Sequence, residues 1–383
     1  MAMHLTAGEL PAETETLRRE VRDFVAAELA AGNFTPRCDN WLGGVDREFS
    51  RKLGGRGWLG MTWPREYGGQ ERSALDRFVV TEELLAAGAP VAAHWVADRQ
   101  VGPLLLRFGT EAQRQRYLPS ITKGECCFAI GMSEPDSGSD LASVRTRAEQ
   151  VPGGWRVNGT KVWTSAAQVA QALIALVRTS PADGDRHAGL TQLIIELGSD
   201  GVTVNPITSI DGQAHFNEVV LRDVFVPDDA VVGELGAGWR QVTAELAYER
   251  SGPERILSTM PLLRAWCRQL ASHDASGEAR HAAARLVARA WVLRQLSLAV
   301  ASALAAGEAP AVEAALVKDL GTRFEQESVA VIRRYAAVEP DPDSTDDVTR
   351  LLGETVLRTP AFTLRGGTNE ILRGIVARSL VRQ

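Results

Sequence analysis

The feature that most restricts how this 383-residue chain can fold is a double switch in hydrophobic periodicity. Helical spacing runs to about residue 125, strand-like runs occupy about 126 to 236, and helical spacing returns from there to the end. In TETLRREVRDFVAAELAA, Leu17, Val21, Phe24 and Val25 recur on one helical face, with Thr14 placed to cap it. Gly and Pro interrupt the pattern at GWLGMTWPREYGG (57–69), and it resumes through LDRFVVTEELLAAG and GTEAQRQRYLPSITKGE. GWRVNG, TKVWTS, QALIALVRT, LTQLIIEL and HFNEVVLRDVFVP then read as short strands. Asn158-Gly159, between the first two, predicts a tight hairpin, because both turn positions require positive φ. In the last block, EARHAAARLVARAWVLRQLSLAVASALAAG lines up Leu286, Ala290, Leu293, Leu296 and Val300. A second helix runs through VEAALVKDLGTRFEQESVAVIRR, and VEPDPDSTDD reads as an exposed, Pro-broken loop. Helices, then strands, then helices imply segregated layers: an α+β fold, with helical residues 1–125, a small antiparallel β-domain at 126–236 and a helical bundle at 237–383. A parallel dinucleotide-binding sheet does not fit that order.

Composition excludes several functions. A net charge of −6 without a clustered basic face speaks against nucleic acid. No uninterrupted apolar run approaches the ~20 residues that span a bilayer, so no membrane association is expected. The start, MAMHLTAGELPAETETLRREV, lacks signal-peptide organisation, and a cytoplasmic location is the expectation. Cys38, Cys126, Cys127 and Cys267 form no spaced metal motif and read as reduced thiols acting as small hydrophobes. The six histidines (His4, His94, His187, His215, His273, His281) lack ligand spacing, so no metal site is expected.

Six segments, in order, carry a resemblance across nearly the whole chain. They are GWLGMTWPREYGG (57–69), GTEAQRQRYLPSITKGE (109–125), FAIGMSEPDSGSDLASVRTRAE (128–149), GWRVNGTKVWTSAA (154–167), FNEVVLRDVFVPDDAVVGELGAGW (216–239) and LRGGTNEILRGIVA (364–377). The chain resembles the acyl-CoA dehydrogenase family. That resemblance implies an N-terminal helical domain, a middle β-domain and a C-terminal four-helix bundle, with FAD between the last two. It also implies a homodimer or homotetramer.

By that resemblance, Met132 and Ser133, at the start of the MSEPDSGSD stretch, line the flavin ring, and Ser139 lies near the thioester part of the substrate. Trp163 and Ser165 of KVWTS match a flavin-contacting tryptophan and threonine. An indole offers the isoalloxazine a large apolar contact, and a hydroxyl near N5 tunes hydride acceptance. Gly367, Thr368 and Glu370 correspond to positions near the ribityl and adenosine portions. Desaturation also needs a carboxylate at the substrate α-carbon. Medium-chain relatives place it before a C-terminal Gly-Thr, where this chain has Arg365-Gly366-Gly367-Thr368, and Gly366 offers only its backbone N–H as an oxyanion donor. In isovaleryl-CoA and long-chain dehydrogenases the glutamate instead precedes an arginine on a helix early in the C-terminal domain. Glu249-Arg250 occupies that place, making Glu249 the expected base and Arg250 a substrate-side residue, with Glu245 and then Glu254 as alternatives. The expected reaction converts an acyl-CoA or acyl-carrier-protein thioester to its trans-2-enoyl product, with the β-hydride passing to flavin N5 and an electron-transfer flavoprotein as oxidant.

Three departures qualify the resemblance. Gly252-Pro253 predicts a helix break just after Glu249. The segments that hold FAD pyrophosphate and adenine in medium-chain relatives are replaced by EARHAAARL and VEPDPDSTDD. Arg365 stands where many relatives carry a small or aromatic residue; it either meets a substrate carboxylate or forms an outward salt bridge. Two other functions stay open. One is a flavin monooxygenase of the same fold, which would not need Glu249. The other is a non-catalytic subunit of a hetero-oligomer, suggested by Gly366.

Overall fold

The computed structural model describes residues 8–182, 184–249, 252–272 and 275–381, with the side chains of 245–249 outside the described set. Arg250 also lies outside the described residues. Seven helices come first: α1 (Thr14–Ala30), α2 (Asn40–Gly43), α3 (Arg47–Gly55), α4 (Ala74–Ala86), α5 (Ala92–Val96), α6 (Gly102–Phe108) and α7 (Glu111–Thr122). The strands are β1 (Phe128–Gly131), β2 (Arg147–Val151), β3 (Gly154–Ser165), β4 (Ala172–Arg178), β5 (Leu190–Glu196), β6 (Val202–Ile207), β7 (Phe216–Pro227) and β8 (Val231–Val232). Helices then return as α8 (Gly238–Glu249), α9 (Glu254–Leu257), α10 (Met260–Ser272), α11 (Gly277–Ala305), α12 (Ala311–Tyr335), α13 (Asp347–Arg358) and α14 (Asn369–Val381).

These elements form two compact units, each assembled from separate stretches of chain. One comprises Met1–Gly44, Arg72–Pro90 and Ala247–Gln383; the other comprises Val45–Glu71 and Val91–Leu246. In the first unit, Leu286, Ala290, Leu293 and Val300 of α11 join Val317, Phe324 and Ile332 of α12 and Leu351 and Leu352 of α13 in one apolar core. The expected face of α11 is therefore buried, with Leu296 partly buried against the same core. Helix α11 is long and apolar enough, by length and composition alone, to cross a membrane, a test that core helices of globular proteins also pass. Helix α1 buries Leu17, Val21, Phe24 and Val25. Thr14 is its first helical residue rather than its cap, because its hydroxyl donates to the Pro11 carbonyl (2.7 Å) and not to the helix end. The break expected at Gly252-Pro253 is present: these two residues belong to no helix, and α9 begins directly after Pro253.

The second unit is built on one sheet, ordered β6-β7-β3-β2-β4-β5-β8, with β1 pairing β4. Pairing is antiparallel except that β1 runs parallel to β4 and β2 touches β4 in parallel at Arg147–Arg178, so the sheet is mixed. Forty residues separate β1 from β4, ample for the crossover that a parallel pair requires. The hairpin does not fall at Asn158-Gly159. The chain reverses at Pro152-Gly153, where Pro fixes one φ and Gly153 takes +78°. Residues 154–165 then continue as one strand through the Asn-Gly pair. Asn158 instead faces a bulge in β7. Its carboxamide donates to Asp223 Oδ1 (3.0 Å), and its Oδ1 accepts from the Asp223 N–H (2.9 Å), while Asp223 itself takes φ +53°. The four cysteines are free thiols; all but Cys267 are buried.

Candidate functional site

In the sheet unit, the expected flavin-facing residues gather on the end of β3 and the loop after β1. Between Lys161 and Thr164 the β3–β7 register slips by one residue, so Val162 and Trp163 together oppose Glu218. Trp163 absorbs the extra residue by adopting φ +59°, a conformation that bulky L-residues rarely take. A bulge breaks the in/out alternation and re-aims a side chain. Here it leaves Trp163 59 % exposed, with one edge-on contact to Phe216 (centroids 6.0 Å, 84°). Ser165, half-buried, follows the bulge, and Ala166 at φ +56° carries the chain away with its N–H on the His215 carbonyl (3.0 Å).

The SEPDSGSD loop is tied to the same strand. Val162 N–H donates to the Ser133 carbonyl (2.9 Å). Lys161 Nζ, wholly buried, donates to Glu134 Oε1 (2.8 Å) and to the Met132 carbonyl (3.3 Å). The Glu134 carboxylate also accepts the N–H groups of Arg145 (2.6 Å) and Thr146 (2.9 Å), pinning both ends of the loop. Burial pushes the Lys161 ammonium down to about 8, a shift partly opposed by the charge of Glu134. Burial alone would raise the Glu134 carboxyl, but Lys161 and the two amides outweigh it and hold the group below the usual carboxylate range. Both groups are therefore charged at neutral pH. Met132 and Ser133 are half-buried, and Ser139 is exposed.

The helical unit contains the C-terminal motif. Gly366 (φ +67°) and Gly367 (φ +83°) form a turn leading into α14, a backbone path suited to glycine. Buried Lys318 of α12 holds this turn from beneath, donating to the Gly367 carbonyl (2.8 Å) and to Asn369 Oδ1 (2.8 Å). Thr368 Oγ1 accepts the Ile371 N–H at the start of α14, and Glu370 is exposed. Arg365 points inward rather than outward. It makes a bidentate pair with Asp39 (2.7 Å for both bonds) and stacks over Trp41 (4.6 Å) and Phe362 (4.9 Å). An internal carboxylate thus takes the charge that a substrate carboxylate was one candidate to meet. Glu325, buried nearby in α12, accepts the Ser258 N–H (2.8 Å), and burial pushes its carboxyl up to about 7.

The structure therefore brings Met132, Ser133, Trp163 and Ser165 together in one unit and sets Gly366, Gly367, Thr368 and Glu370 in the other. The side chains of Glu249 and Glu245 are outside the described residues, and Glu254 is buried in α9. Sequence reasoning missed Lys161, Glu134, Lys318 and Asp39. One signal was available: Lys161 shares the inward parity of Trp155 and Val157, and a lysine at an inward strand position needs a buried partner.

Helical segments flanking a mixed sheet, with an exposed aromatic and a hydroxyl-rich loop at one sheet end, define a scaffold suited to a flat aromatic cofactor. The family model for the acyl-CoA dehydrogenase N-terminal domain matches residues 11–125, and that for the middle domain matches 129–224. The chain belongs to the acyl-CoA dehydrogenase family, whose members are flavin-dependent oxidoreductases. It is similar to the acyl-CoA dehydrogenase IpdE1 of Mycobacterium tuberculosis, with 36 % identity over 95 % of this chain and 96 % of that protein. Among solved structures it resembles the Tcur3481-Tcur3483 steroid ACAD (TM-score 0.86, 30 % identity, covering 100 % of this chain and 99 % of that one). It also resembles the ChsE4-ChsE5 complex from Mycobacterium tuberculosis (TM-score 0.84, 30 % identity, the same coverage).

Proposed function

We propose that this chain catalyses the FAD-dependent α,β-dehydrogenation of an acyl-CoA thioester, with Glu249 removing the α-proton. The observation that carries the proposal is Trp163, held in a strained backbone conformation with most of its indole exposed beside Ser133 and Ser165. Such strain persists where the surroundings over-determine it, commonly at binding sites. The residues fit an isoalloxazine: Trp163 offers an apolar face, Met132 and Ser133 line the adjoining loop, and the Ser165 hydroxyl supplies a donor. Gly367, Thr368 and Glu370 are assigned to the ribityl and adenosine end. Bound FAD would supply the acceptor for the β-hydride at its N5.

The chain's own residues do the remaining work. Position 366 sits at φ +67°, where a glutamate side chain would be strained, which supports a base supplied from elsewhere. Glu249, the last described residue of α8, precedes the Gly252-Pro253 break and is assigned that role. Exclusion of water by bound substrate would raise its pKa and strengthen it toward a weak carbon acid. The Gly366 N–H is assigned as a donor to the thioester carbonyl, with Ser139 and Arg250 on the substrate side. The likeness to a steroid ACAD and to a two-component complex supports a bulky, ring-bearing acyl group and assembly with a second, non-identical chain. An electron-transfer flavoprotein is the proposed oxidant.

The test is anaerobic mixing of the purified flavoprotein, in its native assembly, with ring-bearing and linear acyl-CoA thioesters while flavin absorbance is followed. Glu249→Gln should retain flavin and lose bleaching by about 10³-fold or more, the scale expected when a general base is removed. Bleaching at the wild-type rate in that variant would overturn the assignment of the base.

A further inference from the structure

Lys161 is costly to keep where it is. An ammonium with no exposure, on a strand whose neighbouring inward positions are Trp155 and Val157, needs its paired carboxylate merely to offset desolvation. An apolar pair of similar volume would serve packing as well or better. What the ammonium adds is direction, because it reaches past Glu134 to the Met132 carbonyl.

That bond sets the orientation of one peptide plane. A trans peptide is planar, with its carbonyl and its N–H pointing opposite ways. Drawing the Met132 carbonyl onto buried Nζ therefore turns the Ser133 N–H away from the ammonium. The next carbonyl, of Ser133, is fixed on the Val162 N–H. The Ser133 N–H has no acceptor within the chain among the described residues, although the residue is half-buried. That amide is thus left free to donate outside the chain, to water or to a ligand. The strand that supplies Lys161 and Val162 exposes Trp163 at its next residue, so one short segment both aims the donor and presents the indole.

We propose that Lys161 is a positioning residue for the flavin: by holding the Met132–Ser133 peptide it aims the Ser133 N–H at the acceptor edge of the isoalloxazine. This rests on the flavin-binding role argued above. A donor on that edge stabilises the electron-rich reduced ring, so Lys161 raises the flavin's tendency to accept the hydride without touching it. Glu134 serves the same end by fixing the ammonium.

The experiment compares wild type, Lys161→Met and the double variant Lys161→Met/Glu134→Gln as flavin-loaded enzyme in the native assembly. The double variant removes both charges together, so no lone buried carboxylate threatens the fold. Flavin content, thermal midpoint, visible spectrum, reduction potential and single-turnover bleaching by acyl-CoA are measured for each. The double variant should fold and keep its flavin, with a shifted visible band and a more negative potential. Its bleaching should slow at least tenfold per bound flavin, while KM stays within about twofold. Wild-type spectrum, potential and rate per bound flavin in a folded double variant would overturn the proposal, as would losses confined to flavin content and thermal midpoint. Absence of flavin from the wild-type assembly would instead overturn the underlying reading.

Discussion

Trp163→Asn separates a cofactor platform from an ordinary core aromatic. A buried Trp truncated to a small residue costs about 3–5 kcal/mol. Trp163 hides only about two-fifths of its surface, on the order of 100 Å² of a large aromatic's area, or about 2.5 kcal/mol at ~25 cal/mol per Å². Its edge contact with Phe216 adds about 0.5–1.5 kcal/mol. Against those losses, a bulky residue at φ +59° carries about 1–2 kcal/mol of strain that asparagine tolerates far better. Asparagine also retains part of the contact area. The losses exceed the relieved strain by about 1–3 kcal/mol, and the contact that asparagine retains trims this, so urea unfolding of flavin-free protein should show a destabilisation of about 1–2 kcal/mol. Flavin affinity should behave differently, because losing an aromatic stacking surface worth about 1–3 kcal/mol weakens binding roughly 5- to 150-fold. Titration of the flavin-free chain with FAD, followed by quenching of flavin fluorescence, measures that loss. Destabilisation of the flavin-free variant by 3 kcal/mol or more, with unchanged flavin affinity, would refute the reasoning and return Trp163 to the core.

Other perturbations test the surrounding structure. Glu325, with its folded pKa raised from 4.5 to about 7, contributes stability that is fully present below about pH 4.5 and lost as pH rises through 7, on the order of 3 kcal/mol in all; Glu325→Gln should flatten that decline in urea melts taken from pH 4.5 to 8. Arg365→Met leaves Asp39 buried without its partner and should cost about 3–5 kcal/mol. Arg365→Lys, which keeps the charge but loses the planar fork, should lose part of that amount, and wild-type stability in the lysine variant would remove the case for bidentate geometry. Gly159→Ala would bring a Cβ within 2.3 Å of Thr146 Oγ1 on a backbone at φ +156°, and about 2–3 kcal/mol of destabilisation by thermal melting is expected.

Much of the fold was legible because periodicity is a property of the chain alone. The stripe on α1 and the face of α11 are buried as their spacing required. The restart after Pro253 follows from proline's missing N–H. The errors arose where tertiary pairing outranked local preference. Asn158-Gly159 has the chemistry of a hairpin turn, but Asp223 on the neighbouring strand recruits Asn158 across a bulge, and Pro152-Gly153 supplies the turn. Arg365 looked like a surface or substrate-facing charge because Asp39 lies more than three hundred residues away in sequence. The motif residues of the site could be named from their order, whereas the groups that hold them could not. Lys161, Glu134, Lys318 and Asn369 act through contacts between distant segments, and only the inward parity of Lys161 hinted at one of them.

The helical unit's three-part construction also governs how it can form. Helices α1 and α4 belong to a body whose largest helices, α11 and α12, begin only at residues 277 and 311. On a ribosome adding ~5–20 residues per second, α1 can pack on α4 early, but the face of α4 that meets α11 waits roughly 10–40 s for it. Within α1 and α4, Arg18 already meets Glu82 (2.9 Å), whereas the second cation on Glu82, from Arg294, is translated far later. The other unit is complete once residue 246 has emerged. The nascent chain therefore carries a finished sheet while its helical bundle is still half built, and the waiting face of α4 is a surface that chaperone cover would protect.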